Sequence, residues 1–339
     1  MQPLLLLLIT ALSLLQSCQA FVLPLVPTTN RQGIRLDATQ LLEFVEPETG
    51  VTVKLVGAMH YNPTSIKLAT ETIEELGENN RLGSVIIESC DIRYETSKEM
   101  SPILKKILRS EMGAACDAAL SYDRPVVLGD QRINITVSRM QSAFKETLVD
   151  LVQPIGGWNR IVGNITQAWQ DGASDELPYL NAFAFLDPGL LLAAPVSFFK
   201  YPLSYLSKSP IPTLAFFSLL FLTDYSGEIA GNDLTWADVA GSVGIATLET
   251  VVFMRIILKE ILQERNEILA DSILEQCRLY ERKKRGWFSS AQPSSTSEIM
   301  YVDKSNTGAN NGKDDRTVVA VLGMAHCNGI KKLLLERTT

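Results

Sequence analysis

Histidine is almost missing from this chain: only His60 and His326 occur in 339 residues. Two imidazoles cannot by themselves hold a catalytic divalent ion, so any such centre must recruit oxygen ligands as well. Cysteine is also scarce, at five residues (Cys18, Cys90, Cys116, Cys277, Cys327), and no two form a CxxC pair. That excludes a zinc ribbon, and no disulfide framework can be read from the spacing. Basic excess is absent, the net charge being −7, so composition implies no nucleic-acid partner. An uncharged run of membrane-spanning length is missing from the 155–245 stretch. Its longest uncharged window, Ser209 to Thr223, has 15 residues, against the roughly 18–20 of a spanning helix. What remains is a globular chain, 46% hydrophobic and 20% charged, long enough to bury a large core.

The N-terminus reads as a targeting segment. Leu4 to Leu15 is apolar, and Cys18-Gln19-Ala20 places small residues at the −3 and −1 positions of a signal-peptidase site. This makes 1–20 a signal peptide, although Met1-Gln2-Pro3 brings no basic side chain. Residues 21–40 form a transit peptide or a linker. From Phe21 to about Leu36 they carry Arg31 and Arg35 and no acid. A Gln-Ala-Phe junction before an acid-poor stretch resembles the bipartite presequences of algae with complex plastids. Plastid delivery and secretion into a lumen are the two destinations expected. Asn134-Ile135-Thr136 and Asn164-Ile165-Thr166 are sequons, which decide nothing between them.

Beyond the leader, 41–339 reads as one α/β domain with a mostly parallel or mixed central sheet flanked by helices. Leu41–Val45 and Val51–Val56 flank the turn-rich Glu46–Gly50 and predict a hairpin. A helix follows from Asn62-Pro63 to Leu76, then a β-rich run over Ser84–Cys90. Next come a helical stretch near Met100–Leu120, a strand over Pro125–Asp130 and a helix to about Val152. This alternation is the pattern of parallel strands joined by crossover helices. An apolar helical insertion occupies 155–245, with Ala182–Phe199 and Pro210–Thr223 as a hairpin over the site or a membrane-surface element. Thr247 to about Arg285 lacks Gly and Pro after Gly244 and predicts one long core helix. Residues 287–315 are Ser/Asn/Gly-rich and predict a flexible loop. A final strand and a short helix over Asn328–Glu336 complete the domain, with the first and last strands in one sheet.

Both histidines close the same frame, an apolar run and then Gly-x-x-His: Gly57 to His60 and Gly323 to His326. Open α/β sheets gather ligands at the carboxyl ends of their strands, so two such histidines can converge from opposite ends of the chain. Oxygen partners stand at other strand ends. Glu88 lies in an otherwise apolar run, where burial is costly without a cation or donors. Asp130 and Arg132 close the next strand, and Glu264-Arg265-Asn266 interrupts the apolar stripe of the long helix. Each of these alone is more often an internal salt bridge than a catalytic group.

Taken in order, these pieces resemble the TraB/PrgY/TIKI family over about residues 50–150 and 250–335. The matching positions are Gly57 and His60, Ser65, Glu88, Cys90 and Arg93, then Asp130, Arg132, Thr136 and Arg139. Glu264, Arg265 and Asn266 follow, and Gly323, His326, Gly329 and Ile330 complete the set. Met59 stands where a small residue is usual, and Gln131 separates Asp130 from Arg132. The resemblance implies an α/β fold related to erythromycin-esterase and ChaN-like proteins. For the TIKI branch it implies a metal-dependent peptidase using both histidines and the strand-end glutamate.

The leading expectation is therefore a peptidase-like hydrolase acting on a peptide or small-molecule substrate. His60 and His326 would hold a divalent ion (Mn, Co or Zn), with Glu88 as third metal ligand or as general base. Arg93, Arg132 and Arg265 would brace Glu88 and Asp130 or stabilise an oxyanion. The alternative is a non-catalytic protein that sequesters a peptide or haem through the apolar 182–223 segment. Membrane association through 182–223 is a third expectation.

Overall fold

The computed structural model describes residues 40–153, 156–172, 187–208, 251–285 apart from 253, 300–302 and 316–337, with residues 180, 184 and 244 between them. Strands β1 (Leu41–Val45) and β2 (Thr52–Ala58) are the expected hairpin, with Leu41 opposite Val56 and Val45 opposite Thr52. Its turn is held by the Glu46 carboxylate, which accepts from the N–H groups of Glu48 (2.9 Å) and Thr49 (2.7 Å). The predicted leader, 1–20 with 21–39, lies outside the described residues.

Helix α1 (Pro63–Glu78) begins where Asn62 caps it, its side chain accepting from the Thr64 N–H, with Pro63 in the first turn. Strand β3 (Leu82–Ile87) follows, every residue of it buried. A helix that was not expected, α2 (Asp91–Glu99), comes next, and the helical stretch expected near 100–120 is two helices, α3 (Pro102–Ile107) and α4 (Glu111–Ser121). Ser101 and Ser110 start the last two, accepting from the N–H groups of Leu104 and Gly113. Helix α2 buries no residue, so it carries no apolar period to read.

Strand β4 (Val126–Leu128) leads into α5 (Ile133–Val152), the helix expected there. A further helix, α6 (Gly156–Gly172), follows the proline break. Gly157 permits the close turn, since a Cβ there would stand 1.9 Å from the Asp150 carbonyl oxygen. In the insertion, α7 (Pro188–Lys208) is a helix with Pro195 and Pro202 inside it. The second apolar arm, Pro210–Thr223, lies outside the described residues. Among the described residues no helix is long and apolar enough to cross a membrane.

The long late helix is not regular. A π-helical segment over Ile257–Gln263 runs directly into α8 (Glu264–Arg285). The predicted 287–315 loop also contains a strand, β5 (Met300–Tyr301), paired antiparallel with β4. Strand β6 (Thr317–Gly323) and helix α9 (Met324–Glu336) end the domain. This last helix starts four residues before the predicted Asn328, so His326 sits in its first turn.

The six strands lie in the order β1-β2-β6-β3-β4-β5. Strands β2, β6, β3 and β4 run parallel, and the two edges are antiparallel. All seven residues of β6 are buried, as expected of a parallel strand covered on both faces. Its side chains alternate between two cores. Val318, Ala320 and Leu322 pack with Leu269 and Ile273 of α8, and Val319 and Val321 with Ile73 of α1 and Ala115 of α4. Fully burying one such aliphatic side chain contributes about 1.5–3 kcal/mol, so register is fixed strongly: a one-residue slip would exchange the two faces.

Candidate active site

The strand order decides which residues meet. Because β6 lies between β2 and β3, the last strand of the chain brings its own end between those of the first half. Ala58 pairs with Gly323, Ile87 with Val321 and Leu128 with Ile87. One to three residues past these partners come His60, His326, Glu88 and Asp130. Four adjacent parallel strands thus deliver both histidines and two carboxylates to one edge of the sheet.

Gly323 marks the point of convergence. A Cβ there would lie 3.2 Å from Glu88 Oε2, 3.4 Å from His326 Cδ2 and 3.6 Å from His60 Nε2. The Gly323 N–H donates to Glu88 Oε2 at 2.6 Å. His326 Nε2 stands 3.6 Å from Glu88 Oε1. The three groups expected to share a metal are therefore neighbours around one glycine.

Each imidazole is held by its other nitrogen. His326 Nδ1 lies 2.7 Å from Asn266 Oδ1, and an amide oxygen only accepts, so Nδ1 carries the proton. His60 Nδ1 lies 2.6 Å from Glu111 Oε1, which fixes the same tautomer. Both Nε2 lone pairs then face the Glu88 side of the site. Burial pushes His326 down to about 4, the charge on Glu88 offsetting only part of that effect. Burial also opposes charge on His60. There the hydrogen bond and charge of Glu111, helped by Glu88, win and raise its pKa above the ordinary value.

The carboxylates are tied to α8. Arg265 Nε donates to Asp130 Oδ1 at 2.9 Å, and its Nη2 bonds both Asp130 Oδ2, at 2.7 Å, and Glu88 Oε1. Arg93 forms a second ion pair with Asp130. Burial would raise the Glu88 pKa. The charges of His326, Arg265 and His60 and the Gly323 N–H overcome it and bring it down to about 2. Since burial disfavours the charged form of His326, Arg265, His60 and the backbone donor carry that stabilisation at neutral pH.

Of the residues expected at the site, His60, His326, Glu88, Asp130, Arg265 and Arg93 come together. Arg132 does not join them: it caps α5 and binds Asp91 at 2.8 Å, half exposed. Other members of the ordered motif have structural partners. Ser65 Oγ accepts from the Met59 N–H at 3.0 Å, bracing the residue before His60. Glu264 pairs with Arg139, and Thr136 donates to Gln131. Burial pushes the thiol of Cys327 up, so that thiol is a poor nucleophile.

Sequence reasoning missed Glu111, Tyr61, Tyr201 and Ser204. Glu111 opens α4, where an acid reads simply as complementing the helix dipole. Only the fold shows that it is 1% exposed. Tyr61 adopts φ 61°, a left-handed conformation costly for a bulky residue. Its N–H donates to Glu111 Oε2 at 2.9 Å, and its hydroxyl lies 2.5 Å from Ser204 Oγ. The Tyr201 ring stacks on His60, with centroids 6.0 Å apart and planes 17° from parallel. Helix α7 thus lies against the His60 turn.

Among the described residues, no three His, Cys, Asp or Glu side chains already stand in an arrangement that could hold a metal ion. The donor types are nonetheless suited to one. Three carboxylates (Glu88, Asp130, Glu111) and two guanidinium groups (Arg93, Arg265) stand at the site, which leaves one negative charge whenever His60, whose pKa is raised, is without its second proton. A proton or a cation would neutralise it. Comparison with protein-family models and with curated protein sequences finds no match to this chain.

Proposed function

We propose that the chain is a metal-dependent, peptidase-like hydrolase of the TraB/TIKI type, its site built on His60, His326 and Glu88. One observation carries the reading. With Nδ1 protonated against Asn266, His326 directs the lone pair of Nε2 at another acceptor, Glu88 Oε1, 3.6 Å away. Two acceptors facing each other beside a surplus negative charge favour a cation between them. His60 Nε2, His326 Nε2 and the remaining lone pairs of Glu88 would hold a divalent ion, and a bound ion of this kind supplies Lewis acidity that makes water acidic near neutral pH.

The chain's own groups would do the rest. Asn266 and Glu111 orient the rings, as outer partners do for histidine ligands. Arg265 keeps Glu88 ionised. Arg93, 34% exposed in its side chain, is the guanidinium open enough to reach a developing oxyanion. Tyr201 beside His60 offers an aromatic face to substrate.

A second reading rests on the His60–Glu111 contact. A half-exposed imidazole backed by a buried carboxylate is the arrangement of a general base that activates water without metal. Hydrolysis of a peptide library by the purified mature chain, with and without chelator, separates the two. Chelator-sensitive turnover supports the metal-dependent reading, and chelator-resistant turnover supports the second. No hydrolysis in either arm overturns both and leaves a binding protein.

A further inference from the structure

We infer that Glu111 is the positioning residue of this site, its two oxygens fixing the tautomer of His60 and the strained turn that presents it. The inference rests on the reading that His60 acts through Nε2, and its test does not depend on any activity. One oxygen, Oε1, holds His60 Nδ1 at 2.6 Å, and the other accepts from the Tyr61 N–H at 2.9 Å. A carboxylate with both oxygens engaged cannot rotate, so ring and backbone are held as one unit.

The second contact matters because Tyr61 sits at φ 61°. A bulky non-glycine residue there is strained, and such strain persists only where neighbours over-determine it. The Glu111 acceptor and the Ser204 hydroxyl at 2.5 Å are those neighbours. Release of the turn would swing His60 away from Gly323, around which its Nε2, Glu88 and His326 now gather.

The first contact sets the proton. A free imidazole in water prefers the Nε2–H form, which would place a donor where the site needs a lone pair. A carboxylate at Nδ1 reverses that preference. Glu111 is itself 1% exposed, at the start of α4, 51 residues from His60 in the chain. Its place in the first helical turn is one that suits an acidic side chain.

A chain with two histidines makes the test direct. Nitrogen-15 ring spectra of the full chain, labelled at histidine and treated with chelator, contain two imidazoles, assigned with His326→Gln. Above the pH at which His60 loses its charge, the wild-type ring is expected as Nδ1–H. In Glu111→Ala it is expected to revert to Nε2–H while the His326 signals stay in place. With hydrolysis as a further readout, kcat should fall about 10–100-fold in Glu111→Ala, the range for loss of an outer partner, with KM little changed. An Nε2–H form of His60 in the wild type overturns the inference even if Glu111→Ala does not fold. An unchanged tautomer in folded Glu111→Ala overturns it as well. Absence of hydrolysis with the predicted tautomer switch would overturn the hydrolase reading alone.

Discussion

Asn266 and His326, 60 residues apart in sequence, meet with the amide oxygen 2.7 Å from Nδ1 of the ring. Both are buried, so no water competes for the contact, and the amide alone dictates which ring nitrogen keeps its lone pair. Asn266→Ala should therefore weaken divalent-metal binding by about 10–100-fold with the fold intact. Titration with Zn²⁺ or Co²⁺, followed by calorimetry, measures it. Equal affinity in wild type and variant would mean that His326 is not a ligand.

Arg265 holds Glu88 and Asp130 at once. Its removal as Arg265→Met strands buried carboxylates, and breaking a buried pair in this way costs about 3–5 kcal/mol. Urea unfolding should show that loss. The double variant Arg265→Met with Glu88→Gln should recover part of it, because one orphaned charge is gone. A double variant no more stable than the single one would argue against the pairing.

Acid should weaken the metal-free protein in two stages of the same sign. His326 has its pKa pushed down to about 4 from 6.5 by burial, so the unfolded chain takes up that proton first. The stability from its neutral burial is full above about pH 6.5 and is lost as pH falls towards 4, about 3 kcal/mol across that window. Glu88, held at about 2 against 4.5, contributes stability that is full above about pH 4.5 and is lost towards pH 2. Urea midpoints against pH should fall through both windows, and His326→Gln should flatten the upper one. A flat profile between pH 6.5 and 4 in the wild type would count against neutral burial.

Gly323 has φ −58°, so a side chain there meets no backbone strain. Its Cβ would instead meet Glu88, His326 and His60 within 3.6 Å. Gly323→Ala should cost about 1–3 kcal/mol by overpacking and lower turnover more than it lowers stability. Thermal unfolding beside kcat measures both, and a fully active variant would show that the three groups are not packed about this point.

Much of this site is legible before folding is known. Repeating Gly-x-x-His at two strand ends identifies both imidazoles, and Glu88 stands out as a charge within an apolar run. Strand alternation yields the sheet, because buried parallel strands read as continuous Val/Ile/Leu runs. Other features leave no local trace. Glu111 resembles any first-turn acid, and its burial arises from packing of α4 beside the His60 turn. Helix α2 buries no residue fully and shows no period. Arg132 looks like a brace by spacing, yet the chain turns at the start of α5 and delivers it to Asp91. The π segment before Glu264 is invisible for another reason: its residues fit an α-helical stripe equally well.

His60 and His326 are proposed to share one divalent ion with Glu88. Elemental analysis of the purified chain beside the His60→Ala/His326→Ala double variant decides it. The wild-type chain should carry close to one divalent ion, and a folded double variant none. Equal metal content in the two proteins would contradict it.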